Sequence, residues 1–214
     1  MASDLTFHLH IENVVAGANK LVGWAMRTFR RRSRKLMLTI WKTLVQSKLW
    51  SPSEQGLIAV LESVARNFTS QVGGLDGLDY WERLTALNMY SQERRRERYQ
   101  MIYVWKVSQL LVKGYSLPFK HHHRHGRLVE LPHLLPTSCP APVKKKRENS
   151  MKIKGAKLFN LLPREIRGMD GVSVERFKSG LDDWLSSVPD QPTIPGRQRA
   201  AQTNSLIDQV ILLN

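Results

Sequence analysis

Cysteine is nearly missing from this sequence: Cys139 stands alone among 214 residues. One thiol closes no internal disulfide and supplies no paired thiolates for a structural zinc site, and such usage suits a reducing compartment. Long apolar runs are missing as well. Nothing approaches the ~20 apolar residues that a bilayer span needs. His8, His10 and Glu12 interrupt the N-terminal stretch where a secretory signal would be apolar. A soluble, intracellular protein with no membrane partner is expected. Acidic residues are scarce: 18 Asp and Glu stand against 33 Lys and Arg, a net charge of +15. That excess goes beyond what solubility requires and points to a polyanionic partner, nucleic acid ahead of a membrane surface.

The common marks of catalysis are missing too. There is no GxSxG, no Walker-type phosphate loop and no GxGxxG. Cys139 lies between Ser138 and Pro140, where nothing fixes a neighbouring base. His121, His122, His123 and His125 are of a type that ligates zinc or nickel. They sit in a Lys/Arg-rich stretch with no cysteine partner and no second shell, so they read as a solvated basic loop and no metal is assigned. Asp182 and Asp183 imitate the adjacent aspartates that hold paired metal ions in a polymerase. Such a pair belongs on a tight strand turn with an aromatic residue two positions earlier. Gly180 stands there instead, the surrounding pattern is helical, and Asp182 follows Lys178 by one helical turn, so the pair reads as solvated helix charge. Asp79, far enough upstream to imitate a third carboxylate, reads as a helix cap. No catalytic residue is expected in this chain.

What is present is helical periodicity within an ordinary 42% hydrophobic content, so much of the chain is expected to pack. Phe7, Ile11, Val14, Ala18, Leu21 and Ala25 predict a helix over about 5–29. Ser33 caps a second helix with Met37, Ile40, Trp41, Leu44 and Val45 inward. Ser51, Pro52, Ser53 and Glu54 form a capping signal for a third, which turns Leu57, Leu61, Val64 and Phe68 inward and ends at Gly73 and Gly74. Asp79 caps a short helix through Leu87. Ser91 opens a longer one carrying Tyr99, Ile102, Tyr103, Val107 and Leu110 as far as Gly114. From Tyr115 to Ser150 the texture turns to His, Pro, Lys and Arg and predicts a linker, with one short strand at Arg127 to Leu131. A smaller unit follows, with an apolar patch of Leu158, Phe159, Leu161 and Leu162 closed by Pro163. Its next helix is capped by Ser173 and carries Val174, Phe177, Leu181, Trp184, Leu185 and Val188 on one face. An extended tail begins at Pro189 and ends in a marginal helix, Ser205 to Leu213. The expected domains are thus 1–114, a basic linker 115–150, a small helical unit 151–188 and a tail 189–214.

Three basic clusters are candidates for phosphate contact: Arg30, Arg31, Arg32, Arg34 and Lys35; Arg94, Arg95, Arg96 and Arg98; and Lys144, Lys145, Lys146 and Arg147, which also resemble a nuclear-import tract. The second cluster occupies the first turns of a helix, where positive charge opposes the dipole at about 0.3–1 kcal/mol per exposed residue. Glu93 and Glu97 offset part of that cost. Trp24, Trp41, Tyr99 and Trp105 lie near these clusters and read either as core or as stacking groups.

A set of segments in fixed order adds a resemblance. Asp4 to Phe7 with His10 and Ile11 come first, then Ala18 to Gly23 leading to Arg27, Thr28 and Phe29, and Leu49 to Pro52. Tyr80 to Leu84, Tyr90 to Tyr99, and Gly155 to Asn160 with Leu162 and Pro163 complete it. Together they resemble the C-terminal region of reverse transcriptases of LINE-type, jockey-like non-LTR retrotransposons. The resemblance implies a mainly α fold: a helical thumb-like bundle, a basic linker, and a small helical C-terminal unit with at most one or two short strands. It also implies a partner, RNA or an RNA:DNA or DNA duplex, gripped through its backbone. The palm of that RNA-directed DNA polymerase, with its aspartates and magnesium, would lie before Met1, so no cofactor, metal or small-molecule substrate is expected in this chain. A nuclear location would suit such an element. One departure is that the family usually carries a few more residues between Leu49 and Trp50, and a Pro where Ser47 stands. Two further readings stay open: a helical protein-interaction module whose charge is incidental, and a retroelement remnant without a function of its own.

Overall fold

The computed structural model describes residues 2–45, 55–123, 126–133, 136, 138–192 and 204–213. It is mainly helical, and its only strands among the described residues form one two-stranded sheet. The chain divides into two compact units between Glu93 and Arg94.

In the first unit, α1 (Ala2–Thr28) buries Ile11, Ala18, Val22 and Ala25, which share one face at helical spacing. After a short corner, α2 (Arg34–Ile40) runs into a π-helical turn, Trp41–Val45. Ser33 takes the extended backbone of an N-cap, without a side-chain hydrogen bond. Helix α3 (Gln55–Thr69) packs on α1, and its Phe68 meets Trp41 with ring centroids 4.9 Å apart. Helix α4 (Tyr80–Ala86) is capped by Asp79 as its sequence predicts, Asp79 accepting from the Trp81 and Glu82 amides at 2.7 and 2.9 Å; the structure adds the reciprocal half, Glu82 accepting from the Asp79 amide at 2.7 Å. One apolar cluster running from Ile11 to Leu87 forms the core. The expected cap at Ser51 to Glu54 and the Leu49–Trp50 junction lie outside the described residues.

The second unit takes most of α5 (Gln92–Ser108). Strands β1 (Phe119–His122) and β2 (Gly126–Val129) follow, then α6 (Ala141–Glu148) and a π-helical turn, Met151–Gly155, leading into α7 (Ala156–Leu161). Three helices complete it, α8 (Arg164–Arg167), α9 (Val174–Ser186) and α10 (Leu206–Leu213). Trp105 of α5 stacks on Phe177 of α9, centroids 4.4 Å apart, and its indole N–H donates to the Met169 carbonyl at 2.8 Å. Ser173 caps α9 by accepting from the Arg176 amide. The hairpin is antiparallel, Phe119 opposite Val129 and His122 opposite Gly126. The Asn160 side-chain amide accepts from the Val129 N–H at 2.8 Å and donates to its carbonyl at 2.9 Å, satisfying the open edge of β2.

Two expectations are corrected. The boundary falls at 93 rather than 114, because Met101, Val104 and Trp105 of α5 are buried in the second unit. The stretch 115–150 holds a hairpin and a helix rather than a bare linker, and Lys144 to Arg147 sit inside α6. Among the described residues no helix is long and apolar enough to cross a membrane.

Helix α5 also stops at Ser108, short of Gly114. The Leu111 amide reaches back to the Lys106 carbonyl at 2.9 Å and the Leu110 amide to the Val107 carbonyl at 3.1 Å, a Schellman ending. The left-handed residue is Leu110, with φ +57° and 88% of its surface exposed. The same ending follows α4, where Asn88 takes the position at φ +50°. Asparagine tolerates that conformation and leucine does not, at a cost of roughly 1 kcal/mol or more. Leu110→Gly therefore raises stability by about 0.5–1 kcal/mol in urea denaturation; an unchanged or lowered midpoint would show that Leu110 is not strained.

Candidate nucleic-acid interface

Of the three basic clusters, the one on the first turns of α5 is turned mostly inward. Arg94, Arg98, Met101 and Trp105 recur at steps of three and four and so share one face. Arg94 is fully buried, donating from Nη1 to the Val188 carbonyl at 3.1 Å and from Nη2 to the Pro189 carbonyl at 2.8 Å. Those carbonyls stand just past the end of α9, where backbone acceptors have run out of helical partners. Arg98 forms a two-pronged ion pair with Asp182, Nε to Oδ1 at 2.5 Å and Nη2 to Oδ2 at 2.7 Å. Asp182 is thus tied to α5, and Asp183 stays exposed. Arg95 and Arg96 are half-buried, and the Arg95 guanidinium lies 5.6 Å from the exposed Tyr99 ring. Assigning Arg94 and Arg98 to phosphate contact is therefore corrected: their donors hold the second unit together. The signal available in the sequence was their shared face with Met101 and Trp105.

Glu97, one step around the same helix, is also fully buried. Its carboxylate accepts from the Ser205 hydroxyl at 2.6 Å and the Leu206 amide at 2.8 Å, capping α10, with the Lys154 ammonium 3.4 Å away. Sequence reasoning assigns Glu97 only an offset to the helix dipole and misses this role.

On α6, Lys145 and Lys146 are exposed and Lys144 and Arg147 half-buried, with Arg147 donating to the His133 carbonyl at 2.6 Å. The helix buries none of its residues. His121, His122 and His123 are exposed on and just after β1, and His125 lies outside the described residues. Burial lowers the pKa of Arg167, partly opposed by Glu165, while its guanidinium donates to the Asn160 carbonyl. Burial raises that of Tyr115, with Tyr103 adding to the effect.

The corner between α1 and α2 is different. Arg32 donates to Gln71 at 2.9 Å and to the Met26 carbonyl at 3.4 Å, and its own carbonyl accepts from the Gly73 amide at 2.9 Å. Arg34 donates to the Gly74 carbonyl at 2.9 Å. A Cβ on Gly73 would stand 3.3 Å from the Arg32 carbonyl oxygen, so the close approach of the two turns depends on that glycine. Two of the five predicted cations are therefore braces. The other three, Arg30, Arg31 and Lys35, are exposed and form no hydrogen bond or ion pair through their side chains among the described residues. Lys20 and Arg27, on the last turns of α1, are exposed and unengaged in the same way. The chemistry that exposed guanidinium and ammonium groups support is anion binding.

Comparison with protein families, curated proteins and solved structures finds no match for this chain.

Bracing and exposed cations separate by measurement. Arg94→Met removes the donors of two backbone carbonyls and costs about 2–3 kcal/mol of stability in urea unfolding, whereas Lys145→Gln with Lys146→Gln shifts it by less than about 0.5 kcal/mol. Equal effects would mean that Arg94 is not the brace described.

Proposed function

We propose that this chain binds the sugar-phosphate backbone of nucleic acid without sequence preference, through the basic corner of its first unit. We further propose that it does so as the thumb and following region of a jockey-like, LINE-type retroelement reverse transcriptase. The observation that carries the binding reading is the set Lys20, Arg27, Arg30, Arg31 and Lys35, exposed along the last turns of α1 and across the turn into α2, with no acidic partner among the described residues. A helix dipole welcomes a cation at its C-terminus and so accounts for Arg27. It does not account for four more. Each of these side chains can neutralise a phosphate and release condensed counterions, and that release supplies most of the free energy of non-specific binding.

The thumb reading is supported by the ordered set of family-like segments and by the mainly helical fold. A duplex-gripping element needs a rigid basic surface and no chemistry of its own. The partner is RNA or an RNA:DNA or DNA duplex, and the exposed lysines of α6 suit nuclear import and a weaker second contact. Nothing in this mechanism requires a metal or cofactor held by this chain.

Affinity for a long duplex should fall steeply with salt. In the variant carrying Arg27→Gln, Arg30→Gln and Arg31→Gln, the log–log slope should shrink by about 2–3, near one per lost phosphate contact. Fluorescence anisotropy across a salt series measures both. A flat salt response of the wild type overturns the proposal, and an unchanged slope in the variant removes the corner from it.

A further inference from the structure

The corner carries one side chain that backbone binding leaves unexplained. Trp24 is 46% exposed, although indole is among the groups that gain most from leaving water. On α1 the buried residues Ile11, Ala18, Val22 and Ala25 define one arc, and residues 20, 24 and 27 fall on the opposite arc. Lys20 lies one turn before the indole and Arg27 one turn after it. The two cations are about 10 Å apart along the axis, with the ring between them. Arg27 folds its guanidinium back against Gly23, beside the indole in sequence, where a Cβ would stand 3.3 Å from Nη1. Phe29 meets Trp24 at 90° with centroids 6.0 Å apart and, itself packed on the core, braces the ring.

Other aromatic groups near the basic clusters are already used. Trp41 and Trp105 are buried against Phe68 and Phe177. Arg66 covers Trp81 at 5.4 Å, and Arg95 and Arg98 approach Tyr99. Among the described residues no cation and no ring besides Phe29 engages Trp24.

We infer that Trp24 is a stacking platform for an unpaired base, which makes the corner a site for single-stranded RNA or DNA in addition to duplex backbone. This rests on the binding reading above and extends it to a substrate class. A single strand can place phosphates near Lys20 and Arg27 and lay the intervening base on the indole. An intact duplex keeps its bases stacked on each other and offers the ring nothing.

The test uses the full chain with a labelled homopyrimidine strand of about 12 nucleotides, within the usual site size for such surfaces, and a long duplex whose ends are negligible. Trp24→Ala should weaken binding of the strand roughly 5- to 100-fold, leave duplex affinity and both salt slopes unchanged, and retain wild-type helicity by circular dichroism. Trp24→Phe should restore most of the loss. A strand of equal length and charge made of abasic sites measures the same contact without any variant: the wild type should bind it more weakly than the intact strand. Undiminished binding of the intact strand by Trp24→Ala, equal losses on strand and duplex, or equal wild-type affinity for intact and abasic strands each overturns the stacking inference. In those cases normal salt dependence leaves the backbone reading in place, whereas absence of salt-dependent binding by the wild type overturns both.

Discussion

Arg94 and Glu97, three residues apart on α5, are both withdrawn from water, and each closes the open end of another helix. A lone buried ion costs several kcal/mol, so neither position is tolerable unless polar groups wait for it. They do: the Val188 and Pro189 carbonyls past α9 need donors, and the Ser205 hydroxyl and Leu206 amide at the start of α10 need an acceptor. Lys154 supplies the compensating charge for Glu97. Contacts that span 94 to 109 residues of chain are entropically costly to close, and they are made here by the strongest class of hydrogen bond. The first unit uses the same device. Glu62, in the middle of α3, is buried and accepts from the Tyr80 hydroxyl and from the Gln92 amide that begins α5.

This constraint changes what the net charge of +15 means. An arginine run at the start of a helix reads as a surface for phosphates if only the sequence is considered. Arg94, Arg98, Arg32 and Arg34 instead direct their guanidinium groups to carbonyls, an amide oxygen and a carboxylate of the protein itself. Arginine suits this work because its planar fork satisfies two acceptors at once. Lys154 against Glu97, Arg167 on the Asn160 carbonyl and Arg127 on Asp170 are used internally as well, and the sorting follows helix faces rather than clusters along the chain. On the binding proposed above, the charge open to a polyanion is what is left after internal bonding; it includes the α1–α2 corner and α6, and also single exposed cations such as Lys42, Lys113, Lys152, Lys157, Arg164 and Arg176.

Local signals are legible in the sequence and long-range ones are not. The Asp79 cap, the Ser173 cap and the apolar faces of α1 and α9 depend on residues within a turn or two of each other. The end of α5 is not legible, because Gly114 is the conventional stop, whereas the chain turns at Leu110, a residue that resists the left-handed conformation. Only half of the hairpin shows: Phe119 to His122 has one apolar residue and three polar ones, so no alternation marks it, and its partner is set by register with Gly126 to Val129. Tertiary pairing decides the rest. Sequence proximity puts Trp24, Trp41, Tyr99 and Trp105 in one class of candidate, and burial separates them into two core residues and two exposed ones.

If the corner binds phosphates as proposed, bracing and binding belong together there. A cation on a mobile turn must be ordered when it meets a phosphate, and each rotamer-rich side chain fixed at an interface costs about 0.5–1.5 kcal/mol. Fixing the backbone beneath it in advance removes a further ~1–2 kcal/mol per residue from that cost. Arg32 and Arg34 do this by tying the turn at 30–34 to Gln71, Gly73 and Gly74. Arg30 and Arg31 precede these braces and Lys35 follows them, so the backbone beside them is held while their side chains remain in water. On the proposed reading, the anchored pair and the exposed cations flanking it divide preorganisation from contact, and neither set could replace the other.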